Sequence, residues 1–213
     1  MKAMKQKLVV LMTLLLCSQW AWCQNTLDQI RERYKSYKEY IDTHKGTNMN
    51  DGGEWAEYYH LEARQMLPGS GGHIEDVYMY WEEKGEGDED LIYPPHVLTF
   101  ATKKYNFAAR QFYEEYLFDS DGNLQFVYGY NPMWAPYESA EDEQYEFRFY
   151  LNKGKLIKAV INKRADDKQP YKEVFSGTAL KGSFSKEFST YKANADALKL
   201  LFGNIEKEAY NYR

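Results

Sequence analysis

The chain has 213 residues and a formal net charge of −5, without a long run of basic residues. Nucleic acids and anionic membrane surfaces bind clustered Lys and Arg, so this composition argues against both as partners. Its two cysteines are Cys17 and Cys23. If the first 23 residues are removed, the remaining chain has no disulfide, no thiol nucleophile and no thiolate metal site.

The N-terminal segment has the pattern of a secretory signal peptide. Three lysines precede an apolar run over residues 8–17, which is too short to span a bilayer. Ala21 and Cys23 stand at the two positions that a signal peptidase reads, so we expect cleavage before Gln24.

We therefore predict that residues 1–23 are a signal peptide and that residues 24–213 form a single domain, exported to the periplasm or the extracellular space. Lipoprotein anchoring is the weaker interpretation, because bulky residues precede both cysteines where lipidation signals have small ones. No second apolar stretch is long enough to cross a membrane, so we expect no span after cleavage. The sequence gives no indication of the oligomeric state.

Helical periodicity marks the two ends of this domain. Apolar and aromatic residues recur at helical spacing over residues 26–45 and again over residues 191–208. From about residue 55 to residue 105 the pattern alternates with a period of two, which is typical of strands. Residues 164–190 have no clear assignment apart from a short candidate strand at 171–175.

Two stretches predict successive β-hairpins. Residues 110–130 read RQFYEEYLFDSDGNLQFVYGY, and residues 143–163 read EQYEFRFYLNKGKLIKAVINK. Ser120–Gly122 and Asn152–Gly154 each fit a three-residue loop that is closed by a left-handed glycine.

A three-residue loop determines which side chains share a face of each hairpin. In the first hairpin one face carries Phe112, Glu114, Tyr116 and Phe118 together with Leu124, Phe126, Tyr128 and Tyr130. In the second hairpin one face carries Tyr145, Phe147, Phe149 and Leu151 together with Lys155, Ile157, Ala159 and Ile161. In this register Glu114 faces Tyr128 within a row of aromatic side chains.

These elements predict an α+β fold, an antiparallel β-meander of seven or eight strands packed by an N-terminal and a C-terminal helix. No helix separates consecutive strands, so a parallel sheet is not expected. A partly closed barrel is the main alternative to an open sheet.

The D-x-D-G-N turn at Asp119–Asn123 lies between two aromatic strands, and Y-E-F-R-F-Y-L-N-K-G-K-L-I-K follows at residues 145–158. This paired motif resembles secreted bacterial β-meander proteins of unassigned activity. The resemblance covers about a quarter of the chain, and it implies an envelope protein without implying an activity.

The sequence predicts no metal site or other cofactor. The four histidines, at positions 44, 60, 73 and 96, are spaced too far apart in the predicted strands to share one ion. The acidic loop Glu82–Asp90 has enough carboxylates for Ca²⁺ but lacks the EF-hand pattern, so a solvated loop is the preferred interpretation. Motifs for serine hydrolases, zinc proteases, P-loops and dinucleotides are absent from the sequence.

Glu114 is a candidate site residue because a carboxylate in an aromatic row must be hydrogen-bonded. Tyrosine hydroxyls would satisfy it, and a structural Glu–Tyr hydrogen bond is the preferred interpretation. Catalysis by Glu114 as the acid of a glycan hydrolase is the alternative. A glycosidase also needs a second carboxylate in range, and Glu115 points to the other face.

Trp134 and Tyr137 lie in the loop between the hairpins, where Pro132 and Pro136 stiffen the backbone. Rigid aromatic side chains are a common feature of sites that bind glycans and peptides. The alternative interpretation is that the same rings cover the end of the sheet. The preferred function is a non-catalytic module that binds a glycan or a peptide. Its ligand-binding residues would be Trp134, Tyr137, Glu114 and Tyr128. The alternatives are the Glu114 hydrolase and a structural or assembly factor of the cell envelope.

Overall fold

The computed structural model describes residues 26–44, 57–84, 95–132 and 143–211. Two helices and eight strands lie in these ranges, and the predicted signal peptide lies outside them. Helix α1 covers residues 26–44, and helix α2 covers Gly182–Asn211. The strands are β1 (Tyr58–Leu67), β2 (Gly71–Glu83), β3 (His96–Phe107), β4 (Arg110–Phe118), β5 (Leu124–Asn131), β6 (Gln144–Asn152), β7 (Lys155–Arg164) and β8 (Lys172–Gly177). Neither helix is long and apolar enough to cross a membrane.

All eight strands form one sheet in which each strand pairs antiparallel with the next in sequence. The predicted α+β meander is thus confirmed. Strands β1 and β8 form the two edges in the described part of the chain, so the sheet does not close into the alternative barrel. The candidate strand at 171–175 corresponds to β8, and the rest of residues 164–190, which the sequence left unassigned, includes the end of β7 and the first turns of α2. Helix α2 begins at Gly182, well before the predicted start at 191.

The sheet buries apolar side chains on both faces, each against one helix. On the α2 face, Tyr191, Ala195, Leu198 and Phe202 of the helix pack on side chains such as Val77, Met79, Tyr116, Val127, Phe147, Phe149 and Ile161. On the α1 face, Leu27 and Ile30 pack on Tyr80, Phe100, Leu117, Phe126 and Tyr150. The helical stripe predicted for α1 is confirmed, because Tyr34, Tyr37 and Ile41 contact the same cluster.

The turn of the first hairpin has the predicted three-residue loop. Gly122 adopts a left-handed φ of 75°, and its backbone N–H donates to the Asp119 carbonyl at 2.8 Å. The Asp119 carboxylate also accepts from the backbone N–H of Asn123 at 2.7 Å, which fixes the loop.

The register beyond this loop differs from the prediction. Phe118 pairs with Leu124, but the next pair is Leu117 with Phe126, so Gln125 is an extra residue in a β-bulge. The bulge moves the following residues of β5 to the opposite faces. Glu114 therefore pairs with Gly129, and Tyr128 pairs with Glu115. The predicted facing of Glu114 and Tyr128 is wrong, because strict alternation does not continue through a bulge.

The second hairpin has a tighter turn than predicted. Lys153 and Gly154 both have positive φ, 48° and 75°, which makes a two-residue loop between Asn152 and Lys155. A bulge then restores the predicted faces, so Phe147 and Phe149 share a face with Ile161 and Ala159, although each pairs two residues further along β7 than predicted. The prediction was wrong for Lys155, which pairs with Asn152, and for Ile157, which packs against the α1 cluster.

Candidate functional site

Two adjacent glutamates of β4 lie at the centre of the sheet and point to opposite faces. Glu114 is 3% exposed on the α2 face, and Glu115 is 2% exposed on the α1 face. Buried carboxylates are costly unless they are hydrogen-bonded, so the partners of each one define its role.

Glu114 accepts hydrogen bonds from neutral donors. The Tyr105 hydroxyl donates to Oε1 at 3.1 Å, the Tyr116 hydroxyl donates to Oε2, and Asn194 Nδ2 of α2 donates to Oε2 at 3.2 Å. Burial, and then the Glu114 charge, raises the pKa of Tyr105 and of Tyr116 well above the usual value. The hydroxyls therefore stay protonated as donors. The expected Glu–Tyr hydrogen bond is present, with these two tyrosines in place of Tyr128.

Glu115 joins α1 to the sheet. Lys38 Nζ donates to Oε1 at 2.7 Å, the Tyr113 hydroxyl donates to Oε1 at 2.6 Å, and the Tyr34 hydroxyl donates to Oε2. Tyr34 and Lys38 stand four residues apart, so they lie on the same side of α1. Burial, and then the Glu115 charge, raises the pKa of Tyr34 and Tyr113. This network positions α1 across the sheet.

A cavity of about 290 Å³ lies beside this network, between α1 and strands β5 and β6. Its lining residues are Arg31, Tyr34, Phe126, Tyr128, Arg148 and Tyr150. The β5–β6 pairing builds its floor, because it sets Phe126 opposite Tyr150 and Tyr128 opposite Arg148. Arg31 and Tyr34 of α1 form the opposite wall, one helical turn apart.

The aromatic rings of the cavity hold one another in fixed orientations. Phe126 has its ring centroid 4.7 Å from that of Tyr34 in an edge-to-face contact, and 4.8 Å from that of Tyr150. Each guanidinium also lies near a ring. The Cζ of Arg31 is 5.6 Å from the Tyr150 ring centroid, and the Cζ of Arg148 is 5.3 Å from that of Tyr128.

Carboxylates hold the polar ends of these side chains. Glu146 accepts from the Tyr128 hydroxyl at 3.0 Å and from Arg148 at 3.0 Å, so one side chain fixes two lining residues. Burial, and then Glu146, raises the pKa of Tyr128. On α1, Arg31 forms an exposed ion pair with Asp28 at 3.1 Å.

The structure separates the predicted site residues. Tyr128 lines the cavity, whereas Glu114 lies on the opposite face of the sheet beneath α2. Trp134 and Tyr137 are outside the described residues. The sequence interpretation did not identify Arg31, Arg148 or Glu115, since it took no account of how α1 lies across the strands.

The histidines lie in separate surroundings. His44 contacts the Tyr40 carbonyl, His60 bonds Asp76, His73 bonds the Asn106 carbonyl, and His96 pairs with Glu206. Within the described ranges, no three side chains of the types that bind metals come together. Of the acidic segment Glu82–Asp90, the first two glutamates belong to β2, and residues 85–90 lie outside the described ranges.

Comparison of the chain with protein-family models, with curated proteins and with solved structures found no match. The function must therefore be argued from the geometry of the cavity and the two glutamate networks.

Proposed function

We propose that this protein is a non-catalytic binding protein whose ligand, a glycan or a peptide, packs on the aromatic side chains of the cavity beneath α1. The observation that carries this proposal is the composition of the wall, four aromatic rings and two guanidiniums around about 290 Å³. Ligand sites are concave and mainly apolar or aromatic, with a few fixed polar groups.

The cavity is organised before a ligand arrives. Ring contacts fix Phe126 and Tyr150, and Glu146 fixes Tyr128 and Arg148. Side chains that are already ordered lose little entropy on binding, which favours affinity. Tyrosine rings suit both sugar and peptide planes because the ring packs while the hydroxyl keeps a polar partner.

The hydrolase alternative receives less support from the geometry. A general acid must reach the bond that it protonates, but Glu114 is 3% exposed and bound by Asn194 of α2. The neighbouring carboxylate, Glu115, lies on the other face and is bound by Lys38. A substrate would have to displace α2 to contact Glu114.

Two further features belong to the proposal. The exported location is inferred from the signal peptide predicted at residues 1–23. An exported protein would meet envelope glycans and peptides as available ligands. Trp134 and Tyr137 are proposed to contact the same ligand from the loop between β5 and β6.

The test is calorimetric titration of the mature chain against a panel of envelope glycans and peptides. Tyr128→Ala should remain folded and lose binding, because it removes one wall of the cavity. Tyr58→Ala is the matched control, since Tyr58 is an exposed tyrosine on β1 that does not line the cavity. Unchanged binding by Tyr128→Ala would overturn the cavity as the site. The double variant Trp134→Ala, Tyr137→Ala tests the loop separately.

A further inference from the structure

We propose that the ligand of the cavity carries a carboxylate on or next to a ring, and that Arg31 and Arg148 bind this carboxylate. The inference rests on the proposed function and narrows it to one ligand chemistry. It concerns the two guanidiniums, which the sequence interpretation did not assign to any site.

Each arginine can donate more hydrogen bonds than the described contacts use. A guanidinium has five N–H donors in a planar fork that matches a carboxylate. In the described contacts Arg31 donates to Asp28 through Nη1 alone, and Arg148 donates to Glu146 through Nη2 alone. The rings of Tyr150 and Tyr128 hold the two guanidiniums against the cavity walls.

The acidic groups around the cavity already have donors. Glu115 accepts from Lys38 and two tyrosines, and Glu146 accepts from Tyr128 and Arg148. The cavity therefore presents donors more than acceptors. A ligand that brings its own acceptor can bind the remaining N–H donors of the guanidiniums, whereas a cationic ligand would have to compete with Arg31 and Arg148 for carboxylates that are already paired.

The Arg31–Asp28 pair provides a way for a ligand to enter. Both side chains are about half exposed, at 47% and 54%, so their attraction is weak and screened by water. A ligand carboxylate can take the place of Asp28 on Arg31, because the Asp28 side chain is already about half exposed. No charge is left buried without a partner in this exchange.

The size of the cavity limits the part of the ligand that enters it to one ring. Its volume of about 290 Å³ is at the small end of ligand sites, which run from about 300 to 1,000 Å³. A single sugar or aromatic ring would contact the walls formed by Phe126, Tyr128 and Tyr150, with its carboxylate directed at the arginines. Acidic sugars and aromatic acids share this chemistry.

The experiment is calorimetric titration of the mature chain with two matched pairs of probes. Galacturonic acid is compared with galactose, and phenylacetic acid is compared with phenylacetamide. Because charge-assisted hydrogen bonds are about twice as strong as neutral ones, at least one acid should bind about tenfold more tightly than its neutral partner. The pair that shows this difference identifies the source as a sugar or as an aromatic acid.

Variants of the two arginines test whether these side chains cause the tighter binding of the acid. Arg31→Gln and Arg148→Gln should each weaken binding of the acid by about tenfold to a hundredfold. Arg33→Gln is the matched control on α1, because Arg33 lies near Glu82 and Tyr37 and does not line the cavity. Asp28→Asn should strengthen binding several-fold by removing the competing carboxylate. Arg31 is exposed, so its variant keeps the test informative even if Arg148→Gln unfolds.

The outcomes separate this inference from the proposed function. Equal affinity for acid and neutral probes, with both lost in Tyr128→Ala, would contradict the carboxylate and leave the binding function standing. The same holds if a neutral glycan or peptide from the panel binds while no acid probe does. Binding of neither the probes nor the panel would contradict both proposals.

Discussion

The two faces of the sheet differ in the partners that they give to neighbouring glutamates and in how closely the helix packs. On the α2 face Glu114 is bound by two tyrosines and an asparagine, and the helix packs so closely that Gly129 lies directly beneath Tyr191. On the α1 face Glu115 is bound by two tyrosines and Lys38, and a cavity remains beside the helix. Close packing makes the α2 face a structural core, and the looser α1 face leaves room for a ligand.

The largest effect is expected from filling the space between α2 and the sheet. A Cβ added at Gly129 would lie 2.1 Å from the Tyr191 hydroxyl oxygen and 2.3 Å from Cζ. Tyr191 is buried and cannot move away easily, so Gly129→Ala should lower the free energy of unfolding by about 4 kcal/mol. Urea denaturation of the wild type and the variant measures this change in the free energy of unfolding.

The control for this substitution is Gly203→Ala on helix α2, where an added Cβ meets nothing within 4 Å. It should raise stability by about 0.5 to 1 kcal/mol, because alanine favours a helix interior over glycine. If Gly129→Ala were as well tolerated as Gly203→Ala, the α2 face would not be closely packed.

Removal of Glu114 should destabilise the protein more than removal of Glu115. Glu114→Ala leaves the buried hydroxyl of Tyr116 and the amide of Asn194 without their acceptor and should cost about 3 kcal/mol. Glu115→Ala should cost about 1 to 2 kcal/mol, because Lys38 is 36% exposed and can return to water. Thermal and urea unfolding of the two variants, measured side by side, would contradict the comparison if Glu115→Ala proved the more damaging.

A smaller effect is expected at high pH. Burial raises the pKa of Tyr116 well above the usual tyrosine value of 10.0, and raises the pKa of Tyr80 to about 12. Unfolded tyrosines ionise near pH 10, so these residues favour the folded state fully below pH 10, and this contribution is lost as the pH rises above 10. Stability should thus decline above pH 10, with Tyr80 ionising before Tyr116.

Tyrosinate absorbance and circular dichroism, followed together, check this order. Tyr116→Phe should make the decline of stability above pH 10 shallower, and Tyr58→Phe at an exposed position should leave it unchanged. A decline that is identical in the wild type and in Tyr116→Phe would show that this buried hydroxyl does not control the alkaline transition.

The sequence predicted the architecture because each signal was local. Helical spacing identified α1, alternation identified the strands, and Gly122 identified the loop of the first hairpin. The bulge at Gln125 was missed because it has no marker residue, and a single extra residue reverses every face that follows. Alternation therefore predicted the strand but misplaced Tyr128 relative to Glu114.

The candidate site was only partly predictable. Tyr128 was proposed as a binding residue, and the structure places it in the cavity wall. Arg31 and Arg148 could not be connected from the sequence, because their meeting depends on how α1 crosses β5 and β6. The burial of Glu115 has the same origin, since its partners Tyr34 and Lys38 come from a distant helix.

The difference between the two faces is tested most directly by titrating the isotope-labelled mature chain with galacturonic acid and phenylacetic acid and following nuclear magnetic resonance shifts. At least one acid should move the signals of Arg31, Tyr128 and Arg148 and leave those of Gly129 and Tyr191 in place. Shifts concentrated at Gly129 and Tyr191, or no shifts with either acid, would contradict a carboxylate site beneath α1.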